Sequence, residues 1–149
     1  MFLERKIDYT LENSLFQNFK ELTSQLLNKL KEANKHYKEL RYKLQKKHFE
    51  IAKTYYRTAD YDLRNYNAAI QAFDNLLSDY LGSEFKEEAL YYRLKAAHDF
   101  VLKSYDRRKE ERIKDAIEAY EKLKRNFPES KFMEDSNKML ATLKKEEKR

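Results

Sequence analysis

Apolar residues recur at steps of three or four along the first 58 residues, which is the spacing of one face of an α-helix. Asn34 separates two such stripes and is the predicted end of the first helix, because Asn is common where a helix stops without Gly. We therefore predict an amphipathic helix over residues 1–35 and a second helix over 36–58, whose near-heptad stripes would also suit a dimerising coiled-coil hairpin. The stripes consist of Leu15, Phe19, Leu22, Leu26, Leu30 and Ala33, and of Tyr37, Leu40, Leu44, His48, Ile51 and Tyr55.

Four further helices are predicted in the rest of the chain from the same periodicity. They cover residues 69–80, 83–101, 113–127 and 129–143. The helix over 83–101 has an apolar arc that is wide enough for neighbours on two sides, as in a stacked array of helices. The polar stretches 59–64 and 104–112 are predicted to be lengthened joints, and the second is either a loop or an exposed extension of a helix.

Glycine and proline are rare in this chain, and this limits the fold class. Gly82 is the only glycine and is predicted to take the left-handed conformation of a helix C-cap, while Pro128, the only proline, ends a helix. The segment Asn65-Tyr66-Asn67 is predicted to form a turn. A β-sandwich, a barrel or a doubly wound sheet needs many more turns, and a single glycine also excludes a P-loop or a dinucleotide-binding glycine motif. The predicted fold class is therefore all-α.

The composition narrows the classes of function further. Charged residues make up 39% of the 149 residues, the net charge is +6 and cysteine is absent, so disulfides and thiolate metal sites are excluded. No stretch approaches the roughly 18 apolar residues of a membrane span, and the start of the chain lacks the apolar core of a signal peptide. Basic residues are densest at Arg41, Lys43, Lys46 and Lys47, but interspersed acidic residues favour a solvated helix face over a phosphate-binding patch.

The histidines and carboxylates do not form a catalytic or metal-binding pattern. His36 and His48 lie on one predicted helix about 18 Å apart along its axis, so they cannot share a metal ion. His98 takes a packing position, and adjacent acids such as Glu87 and Glu88 point to different faces of a helix. No motif combines a nucleophile, a base and oxyanion donors. The sequence therefore predicts no enzyme, no cofactor and no bound metal.

Two segments of the chain match at an offset of 47 residues. The pattern Ala69-Ile70-x-x-Phe73-x-x-Leu76 corresponds to Ala116-Ile117-x-x-Tyr120-x-x-Leu123, and Ser83-x-Phe85-x-Glu87 corresponds to Ser130-x-Phe132-x-Glu134. The small residue lets two helices approach, and the aromatic residue fills the space between hairpins. This spacing resembles the second helix of a tetratricopeptide repeat. We therefore predict stacked antiparallel helix hairpins over residues 36–149, forming an α-solenoid of about six helices in the whole chain.

Residues 36–140 resemble the C-terminal repeats of BamD-type outer-membrane protein assembly lipoproteins, in particular those of the Bacteroidota. The first 35 residues carry no clear repeat and a lipobox cysteine is absent, so a truncated or divergent member is expected. The segments that carry the resemblance are Phe49-Glu50-Ile51-Ala52 with Tyr55-Tyr56, Glu87-Glu88-Ala89-Leu90-Tyr91-Tyr92-Arg93-Leu94, the charged insert Arg107-Arg108-Lys109-Glu110-Glu111-Arg112 before Asp115-Ala116-Ile117, and Pro128-Glu129-Ser130-Lys131.

The resemblance implies a non-catalytic scaffold at the periplasmic face of the outer membrane. Its partners would be BamA, small Bam lipoproteins and unfolded β-barrel substrates, with no nucleic acid and with membrane contact only through a lipid anchor that this chain lacks. Two alternatives stay open on the residues alone. A cytoplasmic helical-repeat adaptor would explain the missing export signal, and a nucleic-acid-binding helical protein would explain the isoelectric point of about 9.2.

Candidate partner-binding residues follow from the predicted stacking of hairpins. The first helices of stacked hairpins line a concave face, which would take an extended peptide or a partner loop. The residues expected on or near that face are Tyr55, Tyr91, Lys95 and His98. The basic residues of the insert, which are expected to contact an acidic edge of a partner, are Arg107, Arg108, Lys109 and Arg112. Tyr is favoured at interfaces, and this adds Tyr61, Tyr66 and Tyr105 as candidates.

Overall fold

The computed structural model describes residues 2–104 and 108–148, and every regular element within these ranges is an α-helix, which confirms the predicted fold class. The chain forms two compact units, Met1–Tyr42 and Lys43–Arg149. Within the described residues, no helix combines the length and the apolar content that a bilayer-spanning segment needs. The helices in chain order are α1 (Phe2–Thr58), α2 (Arg64–Asp79), α3 (Lys86–Leu102), α4 (Lys109–Asn126) and α5 (Met133–Glu147).

The first helix is longer than the sequence predicts. α1 continues through Asn34, so the predicted joint at this residue is wrong, and five helices are described where about six were expected. A single Asn inside a helix costs at most about 0.7 kcal/mol relative to Ala. Residues 2–58 also contain no Gly or Pro that would interrupt the backbone hydrogen bonds. The two compact units divide between Tyr42 and Lys43, inside α1, whereas the predicted domain boundary lies after residue 35.

In the first unit, Met1–Tyr42, the side chains from Tyr9 onward are exposed. Two side-chain hydrogen bonds in this unit join residues that are one helical turn apart. Thr23 Oγ1 donates to the carbonyl oxygen of Phe19 at 2.7 Å, and Arg41 Nη1 donates to the hydroxyl of Tyr37 at 3.0 Å. The apolar stripe predicted from the sequence is therefore a surface feature of this unit.

The second unit, Lys43–Arg149, has an aromatic core that begins with the last turns of α1. The Phe49 ring packs against the rings of Phe73 on α2 and Phe85 just before α3, with centroids 6.1 and 5.2 Å away. Tyr92 on α3 stacks on Phe73 at 6.2 Å. Buried alanines such as Ala52 let the neighbouring helices approach closely.

α3 is the central helix of the second unit and contacts α2, α4 and α5. Its wide apolar arc explains these contacts. Ala89 and Ala96 belong to the aromatic core, whereas Leu90 and Leu94 belong to a second buried cluster that includes Leu123 of α4. The prediction that this helix has neighbours on more than one side is confirmed.

The two matching segments end with the same backbone geometry. α2 ends at Asp79 and α4 ends at Asn126, 47 residues later. The next residues have nearly equal backbone angles, with φ −130° and ψ 66° at Tyr80 and φ −140° and ψ 71° at Phe127. The N–H groups of these two residues donate to the carbonyl oxygens of the residues four positions earlier, at 3.1 and 2.8 Å. The sequence repeat is therefore also a repeat of the backbone.

The turns after α2 and α4 are built on serine. Ser83 Oγ accepts a hydrogen bond from the N–H of Phe85, and Ser130 Oγ accepts one from the N–H of Phe132, both at 3.1 Å. A serine hydroxyl commonly satisfies a backbone donor at the start of a helix in this way. Gly82 does not have a positive φ, so the predicted left-handed C-cap is wrong. The chain changes direction at Tyr80, whose φ is negative. A residue with a side chain can adopt such a backbone conformation, so glycine is not required there.

The joints are shorter than the polar stretches of the sequence. α2 begins at Arg64, whose N–H donates to Asp62 Oδ1 at 3.0 Å, so Asn65-Tyr66-Asn67 is helical and the predicted turn there is wrong. α4 begins at Lys109, so residues 109–112 of the predicted joint form the first turn of this helix.

Candidate protein-interaction cleft

A cleft of about 880 Å³ lies between α2 and α4, and one face of α3 forms its floor. Ile70 of α2 and Ala97 and Phe100 of α3 supply apolar surface inside it. Because α2 and α4 are the two segments of the 47-residue repeat, equivalent helices form the two walls. The walls are therefore a direct product of the repeat, and the floor is the helix between them.

Arg93 on α3 lies at the bottom of the cleft and joins both walls. Its side chain is buried, and its five N–H groups meet two carboxylates and a carbonyl oxygen. Nε and Nη2 donate to Asp74 of α2, both at 3.2 Å. Nη2 and Nη1 donate to the Asp115 carboxylate of α4 at 2.7 and 3.0 Å, and Nη1 also donates to the Asp115 carbonyl oxygen at 3.2 Å. This arginine bridge fixes the distance between α2 and α4.

The electrostatics of the bridge keep Arg93 charged. Burial by itself lowers the pKa of the guanidinium, but the hydrogen bonds and the charges of Asp115 and Asp74 outweigh burial and leave the pKa raised. Charged hydrogen bonds are strongest when a planar guanidinium donates two of them to one carboxylate in forked geometry. Arg93 does so with both carboxylates. The bridge is therefore a structural element of the cleft, with both carboxylates also reaching its surface.

Further basic side chains surround the mouth of the cleft. The Arg112 guanidinium lies 4.0 Å from the Phe100 ring centroid and donates to Ser104 Oγ at 2.5 Å. Lys103 forms an ion pair with Asp60 at the joint between α1 and α2. Among the described residues, five basic and three acidic side chains line the cleft: Arg64, Arg93, Lys103, Arg108 and Arg112 against Asp74, Glu111 and Asp115. Arg64 and Lys103 are also paired with Asp62 and Asp60 beside the cleft. An acidic segment would be attracted to this rim.

Two of the four insert residues line the cleft, as Arg108 and Arg112 both do. Lys109 is instead paired with Glu146 of α5 at 2.6 Å, where both side chains are partly buried, so it joins α4 to α5. Arg107 and Tyr105 lie outside the described residues. The insert is therefore divided between a contact inside the chain and the rim of the cleft.

The four residues predicted on a concave face do not line this cleft. Tyr55 is exposed on α1 beside a shallower depression of about 450 Å³. Tyr91 is only 7% exposed, so its predicted surface position is wrong: its hydroxyl donates to Asp135 at 2.6 Å, and its ring stacks on Phe132 with centroids 4.2 Å apart. The Lys95 Nζ atom lies 5.7 Å from the Tyr91 ring centroid.

His98 belongs to a partly buried network on α3. Its Nδ1 atom lies 2.8 Å from Asp99 Oδ1, and the Tyr56 hydroxyl donates to Asp99 Oδ2 at 2.6 Å. Burial raises the pKa of Asp99, but the hydrogen bonds from His98 and Tyr56 outweigh it and leave the pKa below its ordinary value. Burial and the hydrogen bond to Asp99 raise the pKa of Tyr56. The network holds α1 against α3 and is not part of the cleft.

Two further tyrosines were candidates for an interface. Tyr66 is buried and its hydroxyl donates to Asp60 at 2.8 Å, so its predicted surface position is wrong. Tyr61 is 92% exposed. In the described part of the chain, no three His, Asp or Glu side chains are placed to hold a metal ion.

Arg93, Asp74 and Asp115 are not among the site residues that the sequence predicts. The signal was present but weak: Arg93 is a charged residue inside the apolar arc of α3, with Leu90 and Leu94 on one side and Ala89 and Ala96 on the other. A charge in such a position needs partners of the opposite sign. Which carboxylates would meet it depended on how α2 and α4 pack against α3.

A known protein family matches most of the chain. The family model described as YfiO, outer membrane lipoprotein, matches residues 23–146. The chain belongs to the YfiO family. This confirms the predicted resemblance to BamD-type lipoproteins, and the YfiO match contains all of α2, α3 and α4 and therefore the whole cleft. No curated protein is significantly similar to the chain.

Proposed function

We propose that the chain is a non-catalytic protein-interaction scaffold of the machinery that assembles β-barrel proteins in the outer membrane. Membership of the YfiO family of outer membrane lipoproteins supports this function over a cytoplasmic adaptor or a nucleic-acid-binding protein. The proposed location is the periplasmic face of the outer membrane. The proposed partners are a BamA-type barrel protein, small Bam lipoproteins and unfolded β-barrel substrates.

The cleft between α2 and α4 is the observation that carries this proposal. Its volume of about 880 Å³ suits a helix turn or a short extended segment of a partner. The apolar side chains of Ile70, Ala97 and Phe100 inside the cleft would pack against apolar side chains of a partner, and the basic rim would attract acidic residues beside them. The proposed ligand is therefore a protein segment in which apolar and acidic residues lie close together.

The arginine bridge adds preorganisation to this binding surface. Arg93 holds α2 and α4 at a fixed separation through Asp74 and Asp115 before any partner arrives. A cleft that does not have to be ordered on binding avoids an entropic cost of about 0.5–1.5 kcal/mol for each side chain that would otherwise be immobilised. Binding at this cleft is accordingly expected to leave the helices in place.

Isothermal titration calorimetry tests the proposal. It measures how tightly the chain binds the purified periplasmic domains of the BamA-type protein from the same organism. The variant Asn67→Glu/Gln71→Glu places two negative charges on the α2 wall of the cleft, at exposed positions. We expect it to weaken binding at least tenfold, because an acidic partner segment would meet like charge.

The matched control is Asn75→Glu/Ser78→Glu, which adds the same charge to α2 at exposed positions away from the cleft lining. It should bind as the unmodified chain does. Equal affinity of both variants would contradict the cleft as the binding site. Binding of single-stranded or duplex DNA that falls steeply with salt would support the nucleic-acid alternative.

A further inference from the structure

The first unit carries a long apolar stripe on its surface. Seven large apolar side chains of α1, from Leu15 to Leu40, are 58–68% exposed. They are Leu15, Phe19, Leu22, Leu26, Leu30, Tyr37 and Leu40, and Ala33 completes the row. Contiguous apolar surface of this extent on a soluble protein marks a site of association.

The stripe has the geometry of a helix-packing surface. Its seven steps from Leu15 to Leu40 span 25 residues, which gives about 3.6 residues for each turn and keeps the row on one face of a straight α-helix. At a rise of about 1.5 Å for each residue, the row is about 38 Å long. A second helix of similar length could therefore lie along it with regular knobs-into-holes contacts.

We propose that the stripe is covered by the same stripe of a second copy of this chain, which runs antiparallel. The exposed side chains offer on the order of 100 Å² each, or about 700 Å² for each copy, close to the roughly 800 Å² that each partner buries in a stable interface. The stripes of two copies therefore bury enough apolar surface for a stable interface between them, and no additional helix is required.

The order of side chains is self-complementary in the antiparallel direction. In this arrangement residue n of one copy lies opposite residue 55 − n or 56 − n of the other. Each pair then contains at least one large apolar side chain, so no two small residues face each other. The pairs in this arrangement are Leu15 with Leu40, Phe19 with Tyr37, Leu22 with Ala33, and Leu26 with Leu30. In a parallel arrangement Ala33 would lie opposite Ala33 and leave a gap.

The charge of α1 also favours the antiparallel direction. Residues 33–58 carry eight Lys or Arg and two Glu, whereas residues 1–32 carry five basic and five acidic residues. A parallel pair would place the two strongly basic segments side by side. An antiparallel pair places each basic segment next to the neutral segment of the other copy, which removes this repulsion.

Sedimentation equilibrium of the full chain between about 1 and 100 μM tests the proposal, in the concentration range where interfaces of this size form. We expect a dimer with twice the 18.2 kDa of one chain. The variant Leu22→Glu/Leu26→Glu places charges at the centre of the stripe and should be a monomer, while Ser24→Glu/Asn28→Glu on the opposite face of α1 should stay a dimer. Far-UV circular dichroism and a cooperative thermal transition show that the second unit remains folded in each variant.

Disulfide trapping tests the direction, since the chain has no cysteine of its own. In an antiparallel dimer, an oxidised mixture of Leu15→Cys and Leu40→Cys chains forms the mixed disulfide, and Leu15→Cys alone forms none. A disulfide between two Leu15→Cys chains would overturn the antiparallel arrangement. A monomer at all concentrations, a trimer or tetramer, or a monomer that binds anionic lipid vesicles through the stripe would overturn the second copy as its occupant.

Discussion

Arg93 of α3 and Asp115 of α4 are joined by two charged hydrogen bonds, at 2.7 and 3.0 Å, and the same guanidinium also holds Asp74 of α2. A single side chain on the floor of the cleft therefore connects both walls. The three residues come from three different helices, so the bridge forms only when all three helices are packed. It thus couples the stability of the second unit to the shape of the cleft.

The first prediction concerns the removal of this bridge. Arg93→Met keeps the long apolar part of the side chain and removes the charged hydrogen bonds, so we expect the free energy of unfolding to fall by about 1–3 kcal/mol. Urea unfolding followed by circular dichroism measures the change. The control is Arg64→Met, because Arg64 is highly exposed and is paired with Asp62, which lies two residues before it. An equal shift of the unfolding midpoint in both variants would argue against a special role of the bridge.

The second prediction concerns acid stability. The pKa of Asp99 is lowered in the folded chain, since the hydrogen bonds from His98 and Tyr56 outweigh its burial. Asp99 therefore contributes stability that is fully present above its ordinary pKa of about 3.9 and is lost as the pH falls through the lower folded value. The difference in unfolding free energy between the unmodified chain and Asp99→Asn should accordingly be larger at pH 7 than at pH 2.5.

Asp79→Asn is the matched control for the acid prediction, because Asp79 is exposed at the end of α2. Urea titrations at several pH values between 2.5 and 7 provide the measurement. A difference between the unmodified chain and Asp99→Asn that stays constant across this range would show that the ionised form of Asp99 has no special stabilisation.

The third prediction concerns alkaline stability. The pKa of Tyr91 is raised by burial and by its hydrogen bond to Asp135. The stability that comes from the neutral phenol is fully present below the ordinary pKa of about 10 and decreases as the pH rises above it, because the unfolded chain then loses this proton first. Tyr91→Phe should therefore cost about 1 kcal/mol at pH 7, where a hydrogen bond is lost, and less at pH 11.

Thermal unfolding at pH 7 and pH 11 measures this effect. Tyr61→Phe is the matched control, since it removes a phenol from the surface and not from the core. If Tyr91→Phe lowered the melting temperature by more at pH 11 than at pH 7, the predicted sign would be wrong.

The fourth prediction concerns the turn after α2. Gly82 does not have a positive φ, and a Cβ atom placed on it would meet no other atom within 4 Å. Gly82→Ala should therefore stabilise the chain by about 0.4–1 kcal/mol, because it reduces the conformational freedom of the unfolded state. The neighbouring change Ser83→Ala should instead destabilise it by about 1 kcal/mol, since the N–H of Phe85 loses its acceptor. The opposite order of the two melting temperatures would contradict the description of this turn.

Periodicity in the sequence was sufficient for the helices and for much of the core. Ala69, Phe73 and Leu76 are buried, and so are the corresponding residues Ala116, Tyr120 and Leu123. The apolar face of an amphipathic helix packs against its neighbours, so the periodicity identifies these core residues. The prediction of a joint at Asn34 failed because a single Asn only slightly disfavours a helix, and α1 contains no Gly or Pro that would end it there.

The buried tyrosines and the cleft depended on contacts between distant residues. Tyr66 and Tyr91 looked suited to the surface because of their polar ends, but their rings are buried, and their hydroxyls donate to the exposed carboxylates of Asp60 and Asp135. Their pairing cannot be read from helical spacing. The cleft was missed for the same reason, because its floor and walls come from three different helices. The predicted stacking of hairpins did not show which faces of these helices would enclose a cleft.

The equivalence of the turns at residues 80–85 and 127–132 has a consequence for how such a chain can grow. Both turns have the same backbone hydrogen bonds and contain Ser and Phe at equivalent positions. A copy of residues 86–132 inserted after Phe132 would therefore be joined to the chain by equivalent turns at both of its ends. The 47-residue segment can thus be treated as an interchangeable building block, and lengthening the protein by one block would add a second groove without redesigning the first.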